Sequence, residues 1–236
     1  MLETWDVGVE LARDEPWRPP VLVSPKFLPY FGWPSSDHAH SSDFILPHSN
    51  SWIHHLRSNG SIFLLFLLSQ FSTYVLKKMQ RLYNLGARKF VIAGLGLMGC
   101  IPSILAQSSD GMCSQEVNQL ILPFNTNTKA MINQLSANLP GSKFSYIDIQ
   151  NMFQDLLANA RSYGFGVANR GCCGIGRNGG QITCLPFQMP CLDRNMYIFW
   201  DAFHPTAAVN ILFGRNAFNG NQNMVYPINI EQLAKL

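Results

Sequence analysis

The sequence predicts an α/β fold, on two observations. Two short segments, residues 90–94 and 143–149, have the apolar character of buried strands. Each is flanked by segments in which apolar residues recur every three or four positions, as they do in amphipathic helices. Helices that alternate with buried strands are typical of a parallel sheet covered by helices. With 236 residues, the chain is long enough to form one domain with a sizeable core.

The first predicted element is a helix that begins near Ser61. Apolar residues recur at three- and four-residue steps as far as Leu82, which is typical of a helix with one buried face. Gly86 follows shortly afterwards and favours the end of the helix there, because glycine readily adopts the left-handed conformation found at helix C-termini. The strand at residues 90–94 comes next.

A longer helix is predicted over residues 115–138. Ser114 is a suitable N-cap, and Pro123 is expected to kink or split the helix because proline lacks a backbone N–H. The strand at residues 143–149 and a short helix at residues 151–160 follow. The chain therefore alternates as helix, strand, helix, strand and helix.

Glycines at positions 94, 96 and 99 follow the first strand and superficially fit a dinucleotide-binding pattern. The next residues, Cys100, Ile101 and Pro102, argue against a helix that opens there. No acidic residue ends a second strand at the required distance. We therefore interpret the glycines as a strand exit that shapes a loop, and no cofactor is predicted.

Residues 163–191 are rich in Gly, Pro and Cys and show no periodicity. We expect an irregular excursion that is stapled by disulfides and leads into the apolar residues 197–200. A last helix is predicted over residues 207–218, with Thr206 as its cap.

All six cysteines lie between residues 100 and 191. They are Cys100, Cys113, Cys172, Cys173, Cys184 and Cys191. Their spacing lacks the paired C-x-x-C and histidines of a zinc site, so three disulfides in an oxidising compartment are favoured over six free thiols. Cys100 is predicted to pair with Cys113. Adjacent cysteines cannot easily bridge each other, so Cys172 and Cys173 are each predicted to pair with Cys184 or Cys191.

Residues 1–60 are expected to be an atypical loop or disordered segment, and residues 61–236 the folded domain. The segment has seven prolines and little periodicity. Five histidines with Asp37 and Asp43 could form a metal site, but their spacing does not place them on one helix face or strand, and no metal is predicted. These histidines are His38, His40, His48, His54 and His55.

Composition and charge exclude several classes of partner. The net charge is +3 and the Lys and Arg residues are scattered, which argues against a nucleic-acid partner. The first residues are acidic, so no signal peptide is predicted, and the apolar run at residues 62–68 is too short to span a bilayer. Asn59 begins an N-glycosylation sequon that is relevant only to a secreted protein. A monomer is expected.

Asp201 and His204 are the candidate catalytic residues. An Asp three residues before a His, in a turn that leads into a helix, can place its carboxylate against Nδ1 of the imidazole. The carboxylate then fixes the tautomer while Nε2 serves as a general base. The same spacing also arises by chance, with the Asp as a helix cap and the His packed on the first turn.

Three further stretches accompany this pair in a fixed order. They are LYNLGARKFVIAGLGLMGCIP at 82–102, GCCGIGR at 171–177 and TCLPFQMPC at 183–191. In order and spacing, residues 62–236 resemble the plant GDSL-type esterase/lipases, a branch of the SGNH hydrolases. The resemblance implies a three-layer sandwich around a central parallel sheet. It also implies a secreted serine hydrolase that cleaves carboxylic esters or lipids, with Asp201 and His204 in the triad positions.

The N-terminal blocks of that family are not found in the sequence. These blocks carry the Gly-Asp-Ser-Leu nucleophile, an oxyanion-hole glycine and a Gly-x-Asn-Asp. Ser35, Ser36, Ser41 and Ser42 do not follow a strand into a glycine turn, so no nucleophile is identified. The sheet is accordingly expected to be incomplete, with its two strands lacking neighbours. The alternative function is a truncated, non-catalytic family member or a binding remnant.

Overall fold

The structure is a computed structural model that describes residues 21–23 and 61–236, with side chains from residue 73 onward. The helices are α1 (Ser61–Asn84), α2 (Pro102–Leu105), α3 (Gln115–Asn138), α4 (Ile149–Ala158), α5 (Ala207–Asn219) and α6 (Ile230–Lys235). The strands are β1 (Val21–Val23), β2 (Lys89–Ala93), β3 (Lys143–Ile147), β4 (Val167–Gly171), β5 (Tyr197–Phe199) and β6 (Val225–Tyr226).

A four-stranded sheet with the order β1-β2-β3-β6 organises the fold. The first three strands are parallel, and β6 is antiparallel to β3 at one edge. A separate parallel pair, β4 and β5, leads towards the C-terminal helices. The predicted α/β fold with parallel strands is confirmed. The two strands that were expected to lack neighbours are interior strands, since β2 lies between β1 and β3, and β3 between β2 and β6.

Side chains that alternate along the strands fill two cores, one on each face of the sheet. Phe90 and Ile92 of β2 pack with α1 and α3, whose buried residues include Val75, Met79, Leu82, Met131, Ile132 and Leu135. Val91 and Ala93 point to the other face, where α4, α5 and α6 contribute Met152, Leu156, Val209, Phe213 and Leu233. This period of two is the strand geometry that lets one sheet bury both faces, and it yields a three-layer architecture.

The apolar run at residues 62–68 lies in the first half of α1. The later turns of α1 bury Val75, Met79 and Leu82 against the sheet. Nowhere in residues 21–23 and 61–236 does a helix combine the length and the apolar composition that a bilayer crossing needs.

Four of the strands, β1, β4, β5 and β6, were not predicted. β1 lies inside residues 1–60, and its three residues are too few to show a period. β4 lies inside the excursion that was expected to be irregular, and only its last residue, Gly171, is buried. A strand that is mostly exposed lacks the apolar residues by which buried strands are detected.

The structure bears on two expectations about proline. The helix α3 is not split at Pro123 but runs from Gln115 to Asn138. Both Pro123 and Gln119, whose carbonyl loses its usual partner, are exposed, so water can satisfy that carbonyl. A short helix, α2, opens at Pro102, where the sequence argued against one. Proline is well tolerated at the first helical position because the N–H there has no intrahelical partner.

Tyr146 of β3 carries a buried hydroxyl that has no hydrogen-bond partner among the described residues. The side chain is 0% exposed, and burial raises its pKa. Replacing Tyr146 by Phe is expected to raise the free energy of unfolding by about 1 kcal/mol, because a desolvated, unpaired polar group is removed. Urea unfolding of the two proteins measures the change, and a loss of stability would show that the hydroxyl makes a favourable contact.

Candidate active site

The turn between β5 and α5 carries Asp201 and His204. The backbone N–H of Trp200 donates to the carbonyl of His204 at 2.8 Å, which closes the turn. The N–H of Thr206 donates to the carbonyl of Ile198 at 2.9 Å, which ties the start of α5 to β5. The loop that bears both candidate residues is therefore fixed at both ends by the strand and the helix.

The carboxylate of Asp201 lies directly against the imidazole of His204. Nδ1 of His204 is 2.9 Å from both carboxylate oxygens. The backbone N–H groups of Phe203 and His204 donate to Oδ1, each at 2.8 Å, and the hydroxyl of Thr183 donates to Oδ2 at 2.8 Å. Asp201 is only 6% exposed. The structure thus brings together the two residues that were predicted as the acid and base.

The hydrogen bonds around Asp201 outweigh the effect of its burial. Burial raises the pKa of the Asp201 carboxyl. Four hydrogen bonds lower it by more than burial raises it, so the pKa lies below its usual value; they come from the N–H groups of His204 and Phe203, the His204 imidazole and the Thr183 hydroxyl. Asp201 is therefore ionised at neutral pH and can only accept hydrogen bonds. Nδ1 of His204 must then carry the proton, which leaves Nε2 as the basic nitrogen.

His204 is placed to exchange a proton with another group. Its side chain is 51% exposed. No residue in the ranges that the structure describes is hydrogen bonded to Nε2. The side chain that caps α5 is Thr206, whose hydroxyl accepts the N–H of Val209 at 3.5 Å, so Asp201 does not serve as the helix cap. The spacing also allowed Asp201 to cap the helix with His204 packed on its first turn, and the structure differs from that alternative.

Two nested disulfides attach a loop to this turn. Cys172 pairs with Cys191 and Cys173 with Cys184, while Cys100 pairs with Cys113 elsewhere. We call residues 172–191 the stapled loop. The N–H groups of Cys172 and Cys173 donate to the carbonyls of Phe199 and Trp200, at 3.0 and 2.6 Å. The stapled loop therefore runs alongside the end of β5, immediately before Asp201.

Two of the three glycines in the segment after β2 donate their N–H groups within the protein. Gly94 donates to the carbonyl of Ile147 at 2.9 Å, and Gly99 to Oδ1 of Asn118 at 2.8 Å. A phosphate cradle requires free N–H groups that point to one ligand.

In the described part of the chain, no three His, Cys, Asp or Glu residues are grouped to hold a metal ion. All six cysteines are in disulfides.

Several candidates from the sequence lie outside the described residues. They are the sequon at Asn59, the five histidines with Asp37 and Asp43, and the serines Ser35, Ser36, Ser41 and Ser42. The contact of Thr183 with Asp201 was not predicted, because the sequence analysis considered Thr183 only as part of the stretch at residues 183–191. Its position next to Cys184 was the one available signal, and it becomes informative only when the disulfide partner of Cys184 is known.

Comparison with known proteins gives consistent matches over the region that carries this site. A sequence model of the GDSL-like Lipase/Acylhydrolase family matches residues 67–216. In Arabidopsis thaliana, GDSL esterase/lipase At1g71691 is 62% identical over 159 residues, 67% of this chain and 41% of that relative. GDSL esterase/lipase At1g29670 is 48% identical over 172 residues, 72% and 46% of the two chains. GDSL esterase/lipase 7 is 48% identical over 162 residues, 67% and 44% of the two chains. The chain spans less than half the length of each of these relatives.

Proposed function

Because the chain belongs to the GDSL-like Lipase/Acylhydrolase family, we propose that it hydrolyses carboxylic esters, with Asp201 and His204 as the acid and base of a Ser-His-Asp triad. One observation carries the proposal. Nδ1 of His204 is hydrogen bonded to a buried, ionised carboxylate at 2.9 Å, while the imidazole is half-exposed. That arrangement leaves Nε2 as the ring nitrogen that can take a proton from a reactant.

In the proposed mechanism, Nε2 of His204 takes the proton of a serine hydroxyl as its oxygen attacks the ester carbonyl. The imidazolium that forms is stabilised by Asp201, which keeps its negative charge throughout. The imidazolium then gives the proton to the departing alcohol oxygen, and an acyl-enzyme remains. Water repeats the sequence: His204 takes its proton, the hydroxyl attacks the acyl carbon, and the proton returns to the serine as the acid leaves.

No serine is assigned as the nucleophile in this proposal. Within residues 61–236, no serine hydroxyl is hydrogen bonded to His204, and the motif that carries the family's serine has no counterpart. No oxyanion donor is assigned either. Such donors matter to the rate, because the loss of one oxyanion donor typically costs roughly 10²–10³-fold in turnover.

We further propose that the substrate is a small-molecule or lipid ester and that the protein works as a monomer outside the cell. The compartment is supported by the three disulfides, since disulfides persist where the surroundings are oxidising. The substrate class is supported by the relatives, which are named as esterase/lipases.

Hydrolysis of p-nitrophenyl butyrate by the purified, oxidised protein tests the proposal. We expect turnover above the buffer rate and covalent labelling of one serine by a fluorophosphonate, which peptide mapping would then identify. A protein that is folded by circular dichroism, yet neither hydrolyses the ester nor takes up the label, would contradict the proposal. It would support the alternative of a non-catalytic family member.

A further inference from the structure

We propose that Thr183 is a positioning residue for Asp201, and that the Cys173–Cys184 disulfide holds Thr183 in place. The catalytic part of this inference rests on the proposed ester hydrolysis. The structural part, an orienting contact from the stapled loop to the buried carboxylate, stands without it.

The two carboxylate oxygens of Asp201 accept hydrogen bonds from different groups, apart from the imidazole that lies against both. Oδ1 accepts two backbone N–H groups from the turn itself, those of Phe203 and His204, each at 2.8 Å. Oδ2 accepts the Thr183 hydroxyl at 2.8 Å, and Nδ1 of His204 lies 2.9 Å from both oxygens. Thr183 is the described donor to this carboxylate that comes from outside the turn, 18 residues away in sequence. It therefore fixes the rotation of the carboxylate relative to the imidazole.

Thr183 is held in place by the residues on either side of it in the sequence. The apolar residues nearest to it in the sequence, Ile182 and Leu185, are 48% and 37% exposed, so apolar packing contributes little to its position. On one side, Ile182 forms a bridge with Ile175, with N–H to carbonyl distances of 3.0 and 3.3 Å. On the other side, Cys184 is bonded covalently to Cys173.

The Cys173–Cys184 disulfide is also connected to Asp201, through the backbone of Trp200. The N–H of Cys173 donates to the carbonyl of Trp200 at 2.6 Å, and Trp200 directly precedes Asp201. Cys173 thus touches both the residue before the acid and, through the disulfide, the residue after Thr183. One disulfide and one backbone hydrogen bond therefore connect the residue after Thr183 to the residue before Asp201. The outer disulfide, Cys172–Cys191, does not adjoin Thr183 in sequence.

A pair of substitutions at Thr183 tests the first half of the proposal. Thr183→Val keeps the shape but removes the donor, whereas Thr183→Ser keeps the hydroxyl. We expect Thr183→Val to raise the pKa of the Asp201 carboxyl. A ¹³C NMR titration measures this pKa, and the Asp201→Asn variant assigns the signal. We also expect kcat to fall roughly 10-fold with KM unchanged, since residues that orient a functional group typically contribute 10–100-fold. Thr183→Ser should resemble the parent in both measurements.

A matched pair of disulfide variants tests the second half. Removal of Cys173 and Cys184 by alanine should raise the Asp201 pKa as Thr183→Val does. Removal of Cys172 and Cys191, which also deletes one staple from the same loop, should leave that pKa close to the parent value. Equal pKa changes in the two double variants would refute the role given to the Cys173–Cys184 bond.

The outcomes separate this inference from the proposed function. If Thr183→Val leaves both the Asp201 pKa and kcat unchanged, Thr183 does not position the acid. If the parent protein shows no ester hydrolysis while the NMR titration shifts as expected, the positioning contact is established and the hydrolase assignment fails. If the parent is active and Thr183→Ser is as impaired as Thr183→Val, the methyl group and not the hydroxyl matters, which also overturns the proposal.

Discussion

Replacing His204 by alanine is expected to lower kcat/KM for p-nitrophenyl butyrate by roughly 10⁴-fold, the scale on which triad members act. The imidazole supplies the base that makes the nucleophile reactive and the acid that protonates the leaving alcohol. No neighbouring group in the described residues can take over either task, because Asp201 is buried and acts only as an acceptor. Initial rates over a range of ester concentrations measure the loss.

The stability of the His204→Ala protein should change little, since the side chain is 51% exposed. Asn210→Ala, at an exposed position in the first turn of α5, provides the matched control and should keep full activity. If His204→Ala retained a tenth or more of the parental rate while folded, His204 would not be the general base. The proposed mechanism would then have to be abandoned.

Gly180→Ala is expected to lower the free energy of unfolding by roughly 3 kcal/mol, at the upper end of overpacking effects. A Cβ at this position would lie 2.0 Å from the carbonyl oxygen and 2.3 Å from the carbonyl carbon of Pro102. Both are backbone atoms at the start of α2, so no side-chain rotation relieves the clash. The adjacent N–H of Ser103 donates to the carbonyl of Ala202 at 3.0 Å, so the displacement would also disturb the turn that carries the site.

Gly214→Ala serves as the control for this experiment. Gly214 lies inside α5, and a Cβ there meets no atom within 4 Å. Alanine should therefore stabilise the protein by about 0.5–1 kcal/mol, because glycine loses more backbone entropy in a helix. Chemical denaturation of the three proteins gives both values. A Gly180→Ala protein that is as stable as the parent would mean that the stapled loop does not approach α2 so closely.

The elements that could be predicted are those whose own residues determine them. α3 begins after Ser114 because the serine hydroxyl accepts the N–H of Val117, a contact that needs only local sequence. β2 was evident from its continuous apolar run. β1 and β4 were not, because their existence depends on pairing with partners that are distant in sequence, namely β2 and β5. Such pairing leaves no signal in a short segment.

The same distinction applies to the site. Asp201 and His204 are three residues apart, so a single turn can bring them together and the spacing alone made them candidates. Thr183 reaches Asp201 only because β4 pairs with β5 and because Cys173 bonds to Cys184 rather than to Cys191. The sequence left that choice of cysteine open. A polar contact that depends on it could therefore not be derived beforehand.

The nesting of the two disulfides gives the parts of the stapled loop different freedom to vary in length. Residues 174–183 lie inside the inner ring, where an added or deleted residue alters the segment that carries Thr183. Residues 185–190 lie between the two rings, where Phe187 and Met189 project fully into solvent. An added or deleted residue there changes only an exposed bulge. This bulge is the natural place for related sequences to differ in length, and for an inserted peptide to be displayed beside the candidate active site.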